Sequence, residues 1–248
     1  LLVTTERIWG IIPAAGAGTR LGTTRAKQYL EIAGQSLLER SILGLVKAID
    51  FENLIICVPP QDETANQLLK ENAVLSIQFE AGNIRLVEGG ETRAHSVSNG
   101  LAALSAQASD EDWVLVHDAA RPLVSARDLQ TLMDSISAHE VGGILATPAK
   151  DTLKQASGSS IEQTLIEQTL DRSMIWNAQT PQVFRFGLLR AAMQDALQAS
   201  AQITDESSAV ERQGFKPLLV ASQDINIKIT TPEDLLIAEA ILKSPTPI

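Results

Sequence analysis

Three short stretches of the chain carry residues suited to chemistry. The first is Pro13-Ala14-Ala15-Gly16-Ala17-Gly18-Thr19-Arg20-Leu21-Gly22, followed by Lys27-Gln28-Tyr29-Leu30. Glycines at 16 and 18 let backbone approach a phosphate closely, and successive N–H groups form an anion nest. A dinucleotide fingerprint would need a third glycine at position 21, which is Leu21. A P-loop would need Gly-Lys-Ser/Thr, which the stretch lacks. Its distinguishing feature is the set of cations Arg20, Arg25 and Lys27. The second stretch is Val114-Leu115-Val116-His117-Asp118-Ala119-Ala120-Arg121-Pro122. An apolar strand ending in Asp and then Arg delivers a carboxylate and a guanidinium to one sheet edge. Asp118 suits Mg²⁺, a hard cation that takes few carboxylates plus substrate phosphates. Arg121 suits a bidentate grip on phosphate or carboxylate. His117 is read as structural, because its neighbour already offers the reactive group. The third stretch, Glu88-Gly89-Gly90-Glu91-Thr92-Arg93-Ala94-His95-Ser96, joins a strand end to a helix start. Its backbone N–H groups suit an anion or a base edge.

Strands and helices must alternate to position these stretches. Apolar runs at 8–12, 54–58, 84–87, 114–116, 143–146, 217–220 and 225–229 read as strands. Helical spacing marks 36–49, 61–72, 92–104, 125–138 and 187–199. Thr231-Pro232-Glu233-Asp234 is a helix start, with Thr as N-cap, Pro in the first turn and an acid at the third position. Continuous apolar strands separated by helices predict an α/β fold, with a mostly parallel sheet covered on both faces. The rhythm breaks over 148–172. Polarity there alternates around Ser157-Gly158-Ser159, which predicts a protruding β-hairpin arm. No repeat or linker divides the chain, so 1–248 reads as one domain carrying that arm.

Composition narrows the class of ligand. The 248 residues include 20 Lys plus Arg and 30 Asp plus Glu, a formal net charge of −10. That balance argues against nucleic acid or an anionic membrane, either of which needs a basic stripe. A bound small anion would need a local positive site inside a repulsive overall field. The single cysteine, Cys57, lies in an apolar run and reads as core. No Cys/His spacing suits zinc, no apolar run reaches a membrane span, and the N-terminus lacks a signal-peptide pattern. A reducing cytoplasm is the expected compartment.

Taken together, the motifs resemble the 2-C-methyl-D-erythritol 4-phosphate cytidylyltransferases of the non-mevalonate isoprenoid pathway. P-A-A-G-x-G-x-R followed by K-Q-Y-L matches at 13–30, G-G-x-x-R-x-x-S-V at 89–97 and V-L-V-H-D-A-A-R-P at 114–122. Gly142 to Ala146, Asp151-Thr152, Asp171-Arg172 with Trp176, and Thr180-Pro181-Gln182 continue the likeness. Ile203-Thr204-Asp205-Glu206, Asn226-Ile227-Lys228 and Pro232-Glu233-Asp234 extend it, so that it spans Ile11 to Ile241. The glycine loop is shared with many nucleotidyltransferases, whereas the H-D-A-A-R-P and K-Q-Y-L pieces in this order are specific.

The resemblance implies a Rossmann-like nucleotidyltransferase fold that transfers cytidylyl from CTP to methylerythritol phosphate, with Mg²⁺ as cofactor. It implies Arg20 and Lys27 as transition-state stabilisers, with Arg172 and Lys228 holding the incoming phosphate. The nucleotide falls to Ala14, Ala15, Gly16 and Gly18. Its cytosine and ribose end falls to Gly89, Gly90, Glu91, Arg93 and Ser96, with Ala119 beside them. Asp118 would meet the metal and the ribose region. Arg121, Thr152, Thr180 and Thr204 would contact the acceptor, together with Arg172 and Lys228. The arm would reach a second subunit, making a homodimer in which Thr152 and Arg172 serve the partner's site. With no sequence after Ile248, a fused second activity is not expected. A ribitol 5-phosphate or other sugar-phosphate nucleotidyltransferase, and a non-catalytic nucleotide-binding regulator, are the competing readings.

Overall fold

In a computed structural model, which describes residues 6–16, 26–158 and 164–244, the apolar runs become one seven-stranded sheet. Its strands are β1 (Ile8–Pro13), β4 (Asn53–Val58), β5 (Ile84–Glu88), β6 (Trp113–Val116), β7 (Gly142–Pro148), β10 (Trp176–Arg185) and β11 (Leu218–Ala221), in the order β11-β7-β10-β6-β1-β4-β5. β1 pairs in parallel with β4 and β6, β4 with β5, and β7 with β11. β10 runs antiparallel to both β6 and β7. The strand pairs β2 (Glu31–Ile32) with β3 (Gln35–Ser36), and β8 (Lys154–Ala156) with β9 (Ile166–Thr169), lie outside this sheet.

The pleat sends alternate side chains to opposite faces. Ile12, Leu54, Ile56, Val58 and Leu115 share one core with α1 (Leu37–Val46), α2 (Glu63–Glu71), α3 (Leu75–Glu80) and α5 (Ala126–Ile136). Trp9, Ile11, Ile55, Cys57, Val114 and Val116 share the other with α4 (Arg93–Leu104), α6 (Phe186–Gln198) and α7 (Glu206–Arg212). A smaller cluster, with Ile32, Leu37 and Ile229, seats α8 (Pro232–Lys243). Helix starts follow their capping chemistry. Ser36 with Glu39, and Thr231 with Asp234, form capping boxes, and Thr92 caps α4 through His95 N–H.

The mostly parallel α/β sheet is as expected, and four details differ. The stretch 225–229 is not a strand. It is an irregular strap held by Ile229 N–H to the Ala120 carbonyl at 2.8 Å and by the Arg121 guanidinium to the Asn226 carbonyl at 2.7 Å. β10 carries no strand pattern because Thr180 and Gln182 are buried polar residues and Pro181 removes a donor. The register slip between Ala178 and Gln182 accommodates them. The short helices α3 and α7 also escaped the periodicity. The arm is a hairpin, with β8 and β9 standing slightly further along the chain than the polarity alternation places them.

Gly142, at the start of β7, has φ +120°, and a Cβ there would meet the Val183 carbonyl oxygen at 2.1 Å. Gly142→Ala therefore adds a backbone clash to an unfavourable torsion. It is expected to cost ~2–4 kcal/mol, read as a lowered urea midpoint with an unchanged slope.

Candidate active site

The parallel strands β1, β5 and β6 end at the same sheet edge, at Pro13, Glu88 and Val116. β1 lies at the switch point, with β4 and β5 to one side and β6 to the other. Open α/β sheets bind ligands outside such a point. A cleft of about 260 Å³ opens there, lined by Ala14, Ala15 and Gly16 from the first loop and by Lys27 from the short 3₁₀ helix Lys27–Tyr29. Gly90, Glu91, Arg93 and Ser96 line it from the third, Asp118 and Ala119 from the second, and Lys228 from the strap.

Each wall is fixed by local chemistry. Ala14 N–H donates to the Cys57 carbonyl at 2.7 Å, and buried Gln28 donates to the Ala14 carbonyl at 2.8 Å. The Tyr29 hydroxyl donates to Asp62, the N-cap of α2, so Lys27-Gln28-Tyr29 is anchored on both sides. Gly89 lies behind the lining. A Cβ there would meet Ala15 Cβ at 2.3 Å and Ser96 Oγ at 2.9 Å, so glycine is needed for the first and third loops to touch. Gly90 N–H donates to Ser96 Oγ at 3.1 Å. Cys57 is a core residue whose thiol pKa is pushed up to about 12 by burial, so it stays protonated.

Asp118 is the electrostatic centre. Arg93 Nε donates to its Oδ1 at 2.9 Å, Lys228 Nζ pairs with its Oδ2 at 2.8 Å, and Arg121 Nε approaches at 3.7 Å. Burial alone would raise its pKa, but Arg93 and Lys228 outweigh burial and hold the carboxyl well below the usual range. Arg93 also grips Glu206 with both terminal nitrogens, at 2.6 and 2.9 Å. Burial opposes the charge on Arg93, and the two carboxylates outweigh it, raising the pKa above its ordinary value. The group holds three cations against two carboxylates, which makes one wall locally positive.

Behind this wall runs a hydrogen-bond relay. Asp118 N–H donates to Thr180 Oγ1 at 3.0 Å, Thr180 Oγ1 lies 3.1 Å from His117 Nδ1, and His117 Nε2 lies 3.1 Å from the Arg121 carbonyl. A carbonyl only accepts, so Nε2 carries the proton, Nδ1 accepts, and Thr180 donates to it. His117 is thus a neutral structural residue, as its neighbourhood predicts.

The remaining candidates sit apart from the cleft. Thr180 is buried within the relay, and Arg121 is only 8% exposed, turned inward to the Asn226 and Ala178 carbonyls. Both side chains are bonded to protein partners, Thr180 to Asp118 N–H and His117, and Arg121 to the two carbonyls. Thr204 is exposed beside a neighbouring cavity that it shares with Thr92, His95 and Asp205. Thr152 and Arg172 are exposed at the arm, where Arg172 donates to the Lys150 carbonyl. Gly18 and Arg20 lie outside the described residues. Glu206, Gln28 and Asn226 lie within the matched motifs, which assign them no role. Glu206 carried no readable signal, because neither its burial nor the short helix α7 that it begins shows in the residue pattern.

Among the described residues, no group of three or more His, Cys, Asp or Glu side chains is arranged to hold a metal. Asp118 still fits Mg²⁺, because Oδ1 has one cation contact, to Arg93, and keeps a lone pair beyond it. One protein carboxylate suffices when substrate phosphates and water complete the shell.

A glycine loop at the end of β1, a cationic wall and one carboxylate at the switch point define a Rossmann-like nucleotidyltransferase. The family model described as 2-C-methyl-D-erythritol 4-phosphate cytidylyltransferase matches residues 8–244, and the chain belongs to that family. A relative of that name from Pseudomonas savastanoi pv. phaseolicola is 45% identical over 228 residues, 92% of each chain. One from Vibrio vulnificus strain YJ016 is 43% identical over 232 residues, 94% of this chain and 93% of its own. The crystal structure of the Francisella tularensis enzyme of that name superposes with a TM-score of 0.77 at 34% identity, covering 94% of this chain and 99% of its own.

The buried relay carries a pH signature. Burial pushes His117 down from 6.5 to about 4. The unfolded chain therefore takes up a proton below about pH 6.5 that the folded chain refuses until about pH 4. Stability from neutral His117, roughly 3 kcal/mol, is present above pH 6.5 and lost as pH falls towards 4. Urea titrations at pH 7, 5.5 and 4.5 should show this slope, and His117→Gln should flatten it.

Proposed function

We propose that the chain transfers the cytidylyl group of CTP to 2-C-methyl-D-erythritol 4-phosphate, releasing pyrophosphate. The observation that carries this reading is the positive Asp118–Arg93–Lys228 wall facing the glycine loop across one cleft, in a chain of this family. An oxygen of the acceptor phosphate forms a bond to the CTP α-phosphorus while the bond to the β-phosphate oxygen breaks. The attacking oxygen is already anionic, so no general base is required. The relay's neutral His117 is consistent with that, since it is fully buried and committed to Thr180 and Arg121.

The obstacle is electrostatic, because an anion must approach a polyanion. Catalysis is then positioning and charge stabilisation. Backbone at Ala14, Ala15 and Gly16 cradles the triphosphate, as Gly18 would within the same loop. Lys27 and Arg20 stabilise charge developing on the α-phosphate and the leaving group. Gly89, Gly90, Glu91, Arg93, Ser96 and Ala119 hold the base and ribose. Lys228 meets the incoming phosphate from the strap. Asp118 would hold Mg²⁺, which when bound supplies further positive charge to the phosphates.

Thr152, Arg172 and Thr204 would complete the acceptor side. We assign Thr152 and Arg172 to a partner's cleft in a homodimer, the single 1–248 domain extending its 148–172 arm. Exposed Leu165, Ile166 and Met174 on and beside the arm support this, since an apolar surface of that kind gains from being covered. The buried thiol and the soluble phosphorylated substrates fit a reducing cytoplasm.

Pyrophosphate release from CTP with methylerythritol phosphate, run beside ribitol 5-phosphate, tests the reading. Release only with ribitol 5-phosphate, or with neither acceptor, would sink it. Lys27→Ala and Arg20→Ala should each lower kcat roughly 10²–10³-fold, the scale of losing one oxyanion donor. Turnover within threefold of wild type in either would remove that residue's role. If the site is shared, mixing inactive Lys27→Ala and Arg172→Ala chains should restore activity above either parent. No gain on mixing would assign Arg172 to its own subunit.

A further inference from the structure

We infer that Glu206 is a positioning residue for nucleotide binding, setting the Arg93 guanidinium and, through it, the Asp118 carboxylate. The inference rests on the functional reading above. Glu206 is fully buried, at 0% exposure, and does not line the cleft between the glycine loop and Asp118. It borders the neighbouring cavity with Thr204, and both of its oxygens bond Arg93, the residue through which it meets the glycine-loop cleft.

The geometry is specific. Arg93 uses its two terminal nitrogens on the two oxygens of Glu206 and its Nε on Asp118 Oδ1. The planar fork is therefore pinned from α7 on one side and from the β6 loop on the other. The frame behind Glu206 is itself fixed. Asp205 caps α7, Gln182 of β10 donates to Asp205 Oδ2 at 2.8 Å, and Ser207 N–H donates to Gln182 Oε1 at 2.9 Å. The residues before and after Glu206 are thus tied to the central sheet.

Without the charge on Glu206, the freed fork would turn to the nearest remaining carboxylate. That is Asp118, to which Arg93 could then bind through two nitrogens, the preferred arrangement for this pair. Asp118 would be drawn towards Arg93 and away from Lys228, and the carboxylate offered to ribose and metal would be displaced. A purely structural pair stitching α7 to α4 predicts lower stability and unchanged nucleotide affinity. A positioning role predicts a loss of affinity confined to the nucleotide.

Glu206→Gln keeps the volume and removes the charge. Binding of Mg-CTP is measured by calorimetry below the unfolding midpoint, with KM for both substrates and kcat from steady-state turnover. The expected result is CTP affinity about tenfold weaker or more, with the acceptor KM within threefold of wild type. In an Arg93→Gln background, Glu206→Gln should add less than twofold, because both changes remove one unit. Wild-type CTP affinity in folded Glu206→Gln overturns the inference, as does a full additional loss in the double variant. If Glu206→Gln does not fold, Glu206→Asp decides, because it keeps the charge and shortens the reach. CTP affinity at least threefold weaker supports positioning, and wild-type affinity overturns it. A wild-type chain that binds Mg-CTP but releases no pyrophosphate would sink the functional reading and leave this inference standing.

Discussion

The Asp118 carboxylate, held by Arg93 and Lys228 with Arg121 nearby, is the interaction on which the site depends. Its partners come from distant parts of the chain: the start of α4, the loop after β6 and the strap after β11. Their convergence requires β1, β5 and β6 to end at one sheet edge and the strap to be tied back across the β6 loop. The Ile229 N–H to the Ala120 carbonyl and the Asn226 carbonyl to Arg121 perform that tying. An unbroken strand at 225–229 would have directed its polar backbone to a neighbouring strand. As an irregular strap, it spends those groups on the site and brings Lys228 to the cleft.

Residues that act through local sequence were the legible ones. The glycine loop, the Asp118 strand end and the Gly89-Gly90 turn were recognisable because each sits beside the strand or helix that positions it. Alternating apolar strands likewise gave the parallel sheet. β10 was not legible, because its sequence reflects the site more than the sheet. Thr180 supports Asp118 N–H and Gln182 holds α7, so polar residues occupy positions where a buried strand would show apolar ones. The inward direction of Arg121 was hidden for a related reason. Residue type advertises a phosphate grip, while the carbonyls that claim it belong to residues 57 and 105 positions away.

Buried ion networks are poor sources of net stability. Removing charges from water costs several kcal/mol per ion, and packed apolar residues of similar volume often do as well or better. The Glu206–Arg93–Asp118–Lys228 chain is therefore hard to explain as a device for folding alone. It makes sense as a device for holding charge in one arrangement, where a ligand rather than solvent meets it. Fixed dipoles and charges need little reorganisation when a phosphate arrives, which is the condition under which electrostatic catalysis is strongest.

This also accounts for anion chemistry in a chain of net charge −10. The long-range field of that charge is screened beyond a Debye length of about 8 Å in physiological salt. Within a few ångströms of the cleft, the three cations of the network exceed its two carboxylates. Glu206 has a particular place in that balance. It borders the neighbouring cavity and not the glycine-loop cleft, whereas Arg93 lines both. The acid that grips the guanidinium is thus kept out of the lining that the glycine loop shares with Asp118.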